Sequence, residues 1–169
     1  VVVVGRGREQ VQALLPAGAE TVVQEEQLGT GHAARCAEEK LKDYPGPIAI
    51  LYGDVPLLRS ETVRKLVDAQ ARDDSAAVIL SAIVSGEHGY GHVVRDGAGR
   101  VLRVVEHKDA SPEERAIEEI NTGTYVFGPG LLFGALAHLS NDNVQGEYYL
   151  TDAVGWLTRS GRSVSAVIA

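Results

Sequence analysis

The run Ile50-Leu51-Tyr52-Gly53-Asp54-Val55-Pro56-Leu57-Leu58 restricts the fold of this chain more than any other stretch. Pro47 to Tyr52 reads as a buried strand, apolar throughout, that ends at Gly53-Asp54. Pro56 disfavours the helical region for Val55, so the exit stays extended and Asp54 stands on a stiff support. A carboxylate just past the carboxyl end of a central parallel strand sits where open α/β sheets bind their ligands. Asp54 is therefore a candidate to hold a divalent cation that in turn holds phosphates. The plainer alternative is an Asp that only turns the chain.

Strands and helices alternate up to this run. Val1 to Val4 reads as a strand broken by Gly5, Arg8 to Leu15 as one or two helical turns, and Glu20 to Val23 as a second strand. The polar, glycine-bearing loop Gln24 to Ala33 feeds a helix that Thr30 is expected to cap, with Ala33, Ala34, Ala37 and Leu41 as its packing face. Beyond Asp54, Ser60 is expected to cap a helix with Val63, Leu66, Val67 and Ala71 inward, and Ala76 to Val84 is rich enough in β-branched residues to be another buried strand. Such alternation predicts an α/β domain with a mostly parallel sheet and helical crossovers.

The period then changes. Tyr90 to Arg95 and Arg100 to Glu106, joined by Asp96-Gly97-Ala98-Gly99, read as a small antiparallel flap over the sheet's carboxyl rim. Ser111-Pro112-Glu113-Glu114 is a helix start with cap, proline and a Glu able to reach back to the Ser N–H. The short helix it opens is expected to carry Ile117 and Ile120, before Asn121-Thr122-Gly123 and a strand from Thr124 to Phe127. Helices over Pro129 to Leu139 and Leu150 to Ser160, the second closed by Gly161, flank a polar and aromatic stretch, and Ser163 to Ile168 is the last strand. With no internal repeat or linker, residues 1–169 are expected to be one domain.

Sixteen Lys and Arg against 23 Asp and Glu leave a net charge of -7, which disfavours a nucleic-acid backbone but not one nucleotide held by backbone N–H groups and a metal ion. No segment reads as a membrane span or a secretory leader, so a cytoplasmic location is expected. Cys36 has no partner for an internal disulfide and reads as a small buried side chain. Histidines 32, 88, 92, 107 and 138 stand in no metal-ligand spacing with cysteine and no HExxH occurs, so zinc is not expected. A GxSxG elbow is also missing, and acyl transfer has little support.

Four places could carry chemistry. In the Gln24 to His32 loop, Gly29 and Gly31 let backbone approach a planar ring, and Gln24 offers a donor and an acceptor to a base edge. Gly89-Tyr90-Gly91 pairs bare backbone with an aromatic wall. Glu106 ends an apolar strand and Asn121 stands between the short helix and the strand that follows; both suit the vicinal hydroxyls of a sugar, although a surface charge and a helix terminator are their plain alternatives.

Taken together, QEEQLGTGHA (Gln24 to Ala33), LYGDVP (Leu51 to Pro56), Gly89-Tyr90-Gly91, VEHK (Val105 to Lys108), INTG (Ile120 to Gly123) and NDNVQGEYYLTD (Asn141 to Asp152) are more specific than any one alone. In unbroken order through nearly the whole chain, they resemble the uridylyltransferase half of the bacterial bifunctional N-acetylglucosamine-1-phosphate uridylyltransferase/glucosamine-1-phosphate acetyltransferase family. The resemblance implies a Rossmann-like nucleotidyltransferase fold with helices on both faces of the sheet. It implies a reaction of UTP with N-acetylglucosamine 1-phosphate that gives pyrophosphate and UDP-N-acetylglucosamine, a cell-wall precursor. Carried over residue by residue, uracil falls against Gln24 and Gly29 with Thr30 behind. Asp54 becomes an Mg²⁺ ligand, Tyr52 and Gly53 line the adjacent sugar region, and Gly91, Glu106 and Asn121 contact the N-acetylglucosamine. Tyr148, Tyr149 and Thr151 fall near that sugar as wall and support.

The chain departs from the family in three respects. The family's opening strand and Gly-rich phosphate-gripping loop would precede Val1, and its second Mg²⁺ ligand, an Asn, and its left-handed β-helix would follow Ala169. His92 stands where the family usually has Arg. The chain is thus expected to be incomplete at both ends, with little turnover alone. The family's trimers are held through the β-helix, so a trimer is not expected, while a homo-oligomer paired through Val1 to Val4 stays open. The competing functions are a non-catalytic nucleotide-sugar module and a nucleotidyltransferase for another sugar 1-phosphate.

Overall fold

The computed structural model describes residues 1–169. A pair of short parallel strands, β1 (Val2–Val4) and β2 (Thr21–Val23), flanks the helical turn α1 (Arg8–Gln12). α2 (Thr30–Cys36) and α3 (Glu38–Leu41) come next, then β3 (Ile48–Ile50), α4 (Ser60–Asp73) and β4 (Ala77–Ile83). The second half supplies β5 (His92–Arg95), β6 (Val101–Val105), α5 (Pro112–Arg115), β7 (Glu119–Phe127), α6 (Leu132–Leu136), α7 (Thr151–Arg159) and β8 (Val164–Ile168).

The main sheet runs β6-β5-β7-β4-β8, with β3 added to β7 beyond the end of β5. β3, β4, β5 and β8 point the same way, as crossover connections require. β7 runs against its neighbours β3, β4 and β5, however, and only β4 and β8 pair in parallel within this sheet. A mostly parallel sheet therefore describes the strand directions and not the pairing. Nor is β3 a central strand: it pairs only with β7, and Ala49 is exposed. The β5–β6 hairpin differs from expectation as well. Instead of lying over the rim as a flap, it continues the sheet and puts Val93, Val101 and Val104 into the core.

Alternation within the central strands builds the two helical layers. Ala77 and Ile79 of β4 and Tyr125 and Phe127 of β7 face α6 and α7, where Leu132, Leu136, Val154 and Leu157 are buried. Val78, Leu80 and Val126 turn to the opposite face and meet Leu66 and Ala69 of α4. A strand buried on both faces needs an unbroken apolar run, which Ala76 to Leu80 supplies.

Several local expectations change. Thr30 does not cap α2, since Gly29 occupies the cap position and the Thr30 hydroxyl accepts from the Leu150 N–H at 3.0 Å. Arg59 rather than Ser60 precedes the first turn of α4. The capping box at Ser111 forms: the Glu114 N–H donates to Ser111 Oγ at 3.2 Å, and Glu114 Oε2 accepts from the Ser111 N–H at 2.9 Å. Yet α5 stops at Arg115, and Ile120, assigned to that helix by pattern, is a β7 residue paired with Ala82 and His92. Its β-branched side chain fits a pleated surface, and burial in the sheet overrides the short helical period.

The middle of β7 carries a bulge. Leu80 lies opposite Thr124 and Ser81 opposite Asn121, so Thr122 and Gly123 are extra residues on β7. Such a bulge bends a strand and re-aims its side chains. Here Thr122 Oγ1 donates to the Leu80 carbonyl at 2.7 Å and secures it. Gly123 adopts φ +80°, and a Cβ there would lie 2.5 Å from the Tyr52 ring. Gly123→Ala is expected to lose about 1–3 kcal/mol from backbone strain alone, with the displacement of Tyr52 added. Urea unfolding measures it, and wild-type stability in the variant would contradict this packing.

Candidate active site

The bulge in β7, the exit of β3 and the loop before β5 meet around a cleft of about 370 Å³. Thr30, Tyr52, Asp54, Gly91, Glu106 and Asn121 all line it. Gly89-Tyr90, Gln145, Glu147 and Tyr149 line it too.

Backbone and side-chain bonds fix the Glu106 side of the cleft. The Asn121 N–H donates to the Gly91 carbonyl at 2.8 Å, joining the bulge to the start of β5. The Glu106 carboxylate packs on bare Gly91, where a Cβ would stand 3.3 Å from Oε2. Thr151 Oγ1, at the start of α7, donates to Glu106 Oε1 at 2.9 Å. The Asn121 amide donates to the Tyr125 hydroxyl at 2.6 Å, and its oxygen accepts from the Gly123 N–H at 3.2 Å. Both polar groups are thus oriented by neighbours rather than free in solvent.

Burial pushes the Glu106 carboxyl above the ordinary carboxylate range, and the charges of Asp152, Asp109 and Glu147 push the same way, against the Thr151 hydrogen bond. Asp54 differs: it is exposed and in no ion pair. Three carboxylates, Asp54, Glu106 and Glu147, line the cleft together with no Lys, Arg or His. A phosphate cannot enter such a field uncompensated. Hard oxygen donors around an open space suit a Mg²⁺-class cation that keeps water and phosphate in its remaining positions. Of the three, Asp54 is exposed and in no ion pair, so it offers one hard oxygen donor of the kind such a cation takes.

Gln24 lies elsewhere. With Gly5, Arg6, Gly7 and Arg8 it lines a second depression of about 340 Å³. Its amide nitrogen donates to the Gly29 carbonyl at 3.1 Å and to His32 Nδ1 at 2.9 Å, so the side chain is held in place. Gly29 and Tyr148 line neither space. They lock together instead: Gly29 has φ +107°, a Cβ on it would strike the Tyr148 carbonyl at 2.6 Å, and Tyr148 donates its N–H to Leu28 O at 2.8 Å. The cleft wall is Tyr149, one residue on. Gly53 does not line the cleft, and Thr151 acts on it only through Glu106.

Sequence reasoning misses Gln145 and Glu147, although the polar stretch that holds them is visible. Asn143 Oδ1 accepts from both their N–H groups, at 3.2 and 3.1 Å, and Lys108 donates to the Gln145 side chain. Nor does the sequence offer a reason to join His88, His92 and His107, whose ring nitrogens lie within 4.8 Å of one another. They come from different segments, and motif spacing is blind to that.

Comparison with known proteins agrees with this architecture. The chain is 47% identical over 165 residues to the bifunctional protein GlmU of Shouchella clausii (strain KSM-K16), a match covering 98% of this chain and 36% of that protein. It is 50% identical over 164 residues to the bifunctional protein GlmU of Brevibacillus brevis, covering 97% and 36%. The chain thus spans little more than a third of the length of these curated relatives. A crystal structure of UDP-glucose pyrophosphorylase complexed with UDP-glucose superposes with a TM-score of 0.75 over 96% of this chain and 70% of that one, at 15% identity, a likeness of fold. The nucleotidyl transferase family model matches residues 1–169, and the chain belongs to that family.

Proposed function

We propose that this domain transfers a uridylyl group from UTP to N-acetylglucosamine 1-phosphate, giving UDP-N-acetylglucosamine and pyrophosphate in the cytoplasm. The observation that carries the reading is the cleft itself, which brings sugar-suited Glu106 and Asn121 together with the exposed carboxylate of Asp54. The strong likeness to bifunctional GlmU proteins supports the choice of sugar over that of the UDP-glucose enzymes, which share only the fold.

In this reading Asp54 holds Mg²⁺, which would supply positive charge to the phosphates and to the departing pyrophosphate. Glu106 accepts from sugar hydroxyls, and Asn121 contributes its oxygen while Tyr125 fixes its amide. Gly91 leaves room for the ring, and Tyr52, seated on Gly123, walls the space toward Asp54. The uracil edge belongs to the Gln24 depression, across the Gly29–Thr30 turn from the cleft. A phosphate oxygen of the sugar then attacks the α-phosphorus of UTP. A new P–O bond forms, the bond to the bridging oxygen breaks, and pyrophosphate leaves with the electron pair. The nucleophile is already anionic, so alignment and charge compensation dominate and no buried base is needed.

Calorimetry of UDP-N-acetylglucosamine binding tests the assignment. Mg²⁺ should tighten binding to the wild type by at least about tenfold, or about 1.4 kcal/mol, and leave Asp54→Asn unaffected. An equal response in both proteins would overturn the role of Asp54, and tighter binding of UDP-glucose would overturn the choice of sugar.

The Glu106 shift gives a signed pH dependence. Sugar hydroxyls donate to the ionised form, so affinity should fall as pH drops through the raised pKa. Thr151→Val removes a hydrogen bond that lowers that pKa, so the acid limb of the affinity profile should move to higher pH. An unmoved limb would contradict the pairing.

A further inference from the structure

Behind the sugar wall the structure gathers three imidazoles that the proposed transfer does not use. His88 lies in the loop before β5, His92 is the first residue of β5, and His107 lies just past the end of β6. Their ring centroids form a triangle with sides of 5.0, 5.5 and 6.2 Å. His92 Nε2 and His107 Nδ1 are 3.2 Å apart. Two nitrogens on one tetrahedral zinc ion, each bonded at roughly 2.0–2.1 Å, would be about 3.3 Å apart, so this pair already has ligand spacing.

The protonation pattern is set by neighbours. The Ile117 carbonyl can only accept, so His92 Nδ1, 2.8 Å away, carries the proton and donates to it. That leaves a lone pair on Nε2, which accepts from His107 Nδ1–H. An ion would take the place of that proton, His107 then carrying its proton on Nε2. A backbone carbonyl that fixes one ring nitrogen while the other faces a metal is the usual outer support of a histidine ligand. His88 Nδ1 is buried and has no hydrogen-bond partner, an expensive state for a polar atom unless something is meant to meet it. Protonating the cluster would bury like charges together.

We propose that His88, His92 and His107 bind one divalent transition-metal ion of the zinc class, tying the Gly89–Gly91 loop to the end of β6 beside the cleft. Neutral imidazoles favour such ions over Mg²⁺, which prefers oxygen, so the two sites would select different metals. His88 and His92 bracket the glycines that face the cleft, and His107 directly succeeds Glu106. An ion here would stiffen the wall without touching the reacting atoms. The nearby Arg115 guanidinium, which donates to the His107 carbonyl at 3.2 Å, opposes the added charge and limits affinity.

The test uses the whole chain, stripped by chelator. Titration with Zn²⁺ alone by calorimetry should show one ion per chain. Changing a supporting group of a ligand costs about 10–100-fold, so removing a ligand outright in His88→Ala or His107→Ala should weaken binding by at least about 100-fold. Asp54→Asn should leave Zn²⁺ binding unchanged. Imidazole nitrogen NMR gives a readout independent of the variants: Zn²⁺ should move the resonances of His88, His92 and His107 and leave His32 and His138 in place. The proposal is overturned if the wild type takes up no Zn²⁺, if both alanine variants bind as tightly as the wild type, or if binding is lost only in Asp54→Asn.

Discussion

The contact between the Tyr52 ring and bare Gly123 is the constraint on which the site rests. Two extra residues in β7 force a bulge, the bulge turns Asn121 into the cleft, and Gly123 accepts both the positive φ and the ring against it. Tyr52 is the hinge between two elements that otherwise meet only along β3 and the far end of β7. Once it is seated, the chain leaving β3 brings Asp54 to the cleft that Glu106 lines. The proposed catalytic geometry is thus a consequence of strand register. It does not depend on a mobile loop finding its place.

Electrostatics divides the labour between the two halves of the site. The cleft concentrates carboxylates, so a phosphate entering it needs a compensating cation. The second depression mixes charges, Arg6 and Arg8 with Glu9 and Glu25, and Arg8 is paired with both glutamates. Gln24 and Gln27 add amides suited to the base end of a nucleotide. Between them runs the turn at Gly29, locked by the Tyr148 backbone. A nucleotide-sugar laid across that turn would place its phosphates between the depressions.

Much of this architecture is legible in the order of residues. Apolar runs buried on both faces locate β4 and the end of β7, and the Ser111 capping box is readable to the atom. Asp54, Gly91 and Glu106 stand as polar or glycine residues beside the ends of apolar strands, where such residues need a reason, whereas Asn121 lies inside β7 at a bulge that local pattern does not announce. Strand order is not legible, because antiparallel insertion of β7 between β3 and β4 depends on long-range pairing that local pattern does not encode. Ile120 shows the same limit, since two residues at helical spacing cannot outweigh sheet burial. Tyr148 and Tyr149 illustrate a finer one: of two adjacent tyrosines, only the backbone path says which meets the cleft. The histidine cluster lies beyond any spacing rule, since it assembles from a loop and two strand ends.

The proposed function requires one nucleotide-sugar to span both depressions across the Gly29 turn. Amide chemical-shift mapping with UDP-N-acetylglucosamine and Mg²⁺ should then show shifts grouped at Gln24 to His32 and at Gly89 to Gly91, Glu106 and Asn121 to Gly123. Shifts confined to one group, or centred on the distant His138–Trp156 stack, would contradict it.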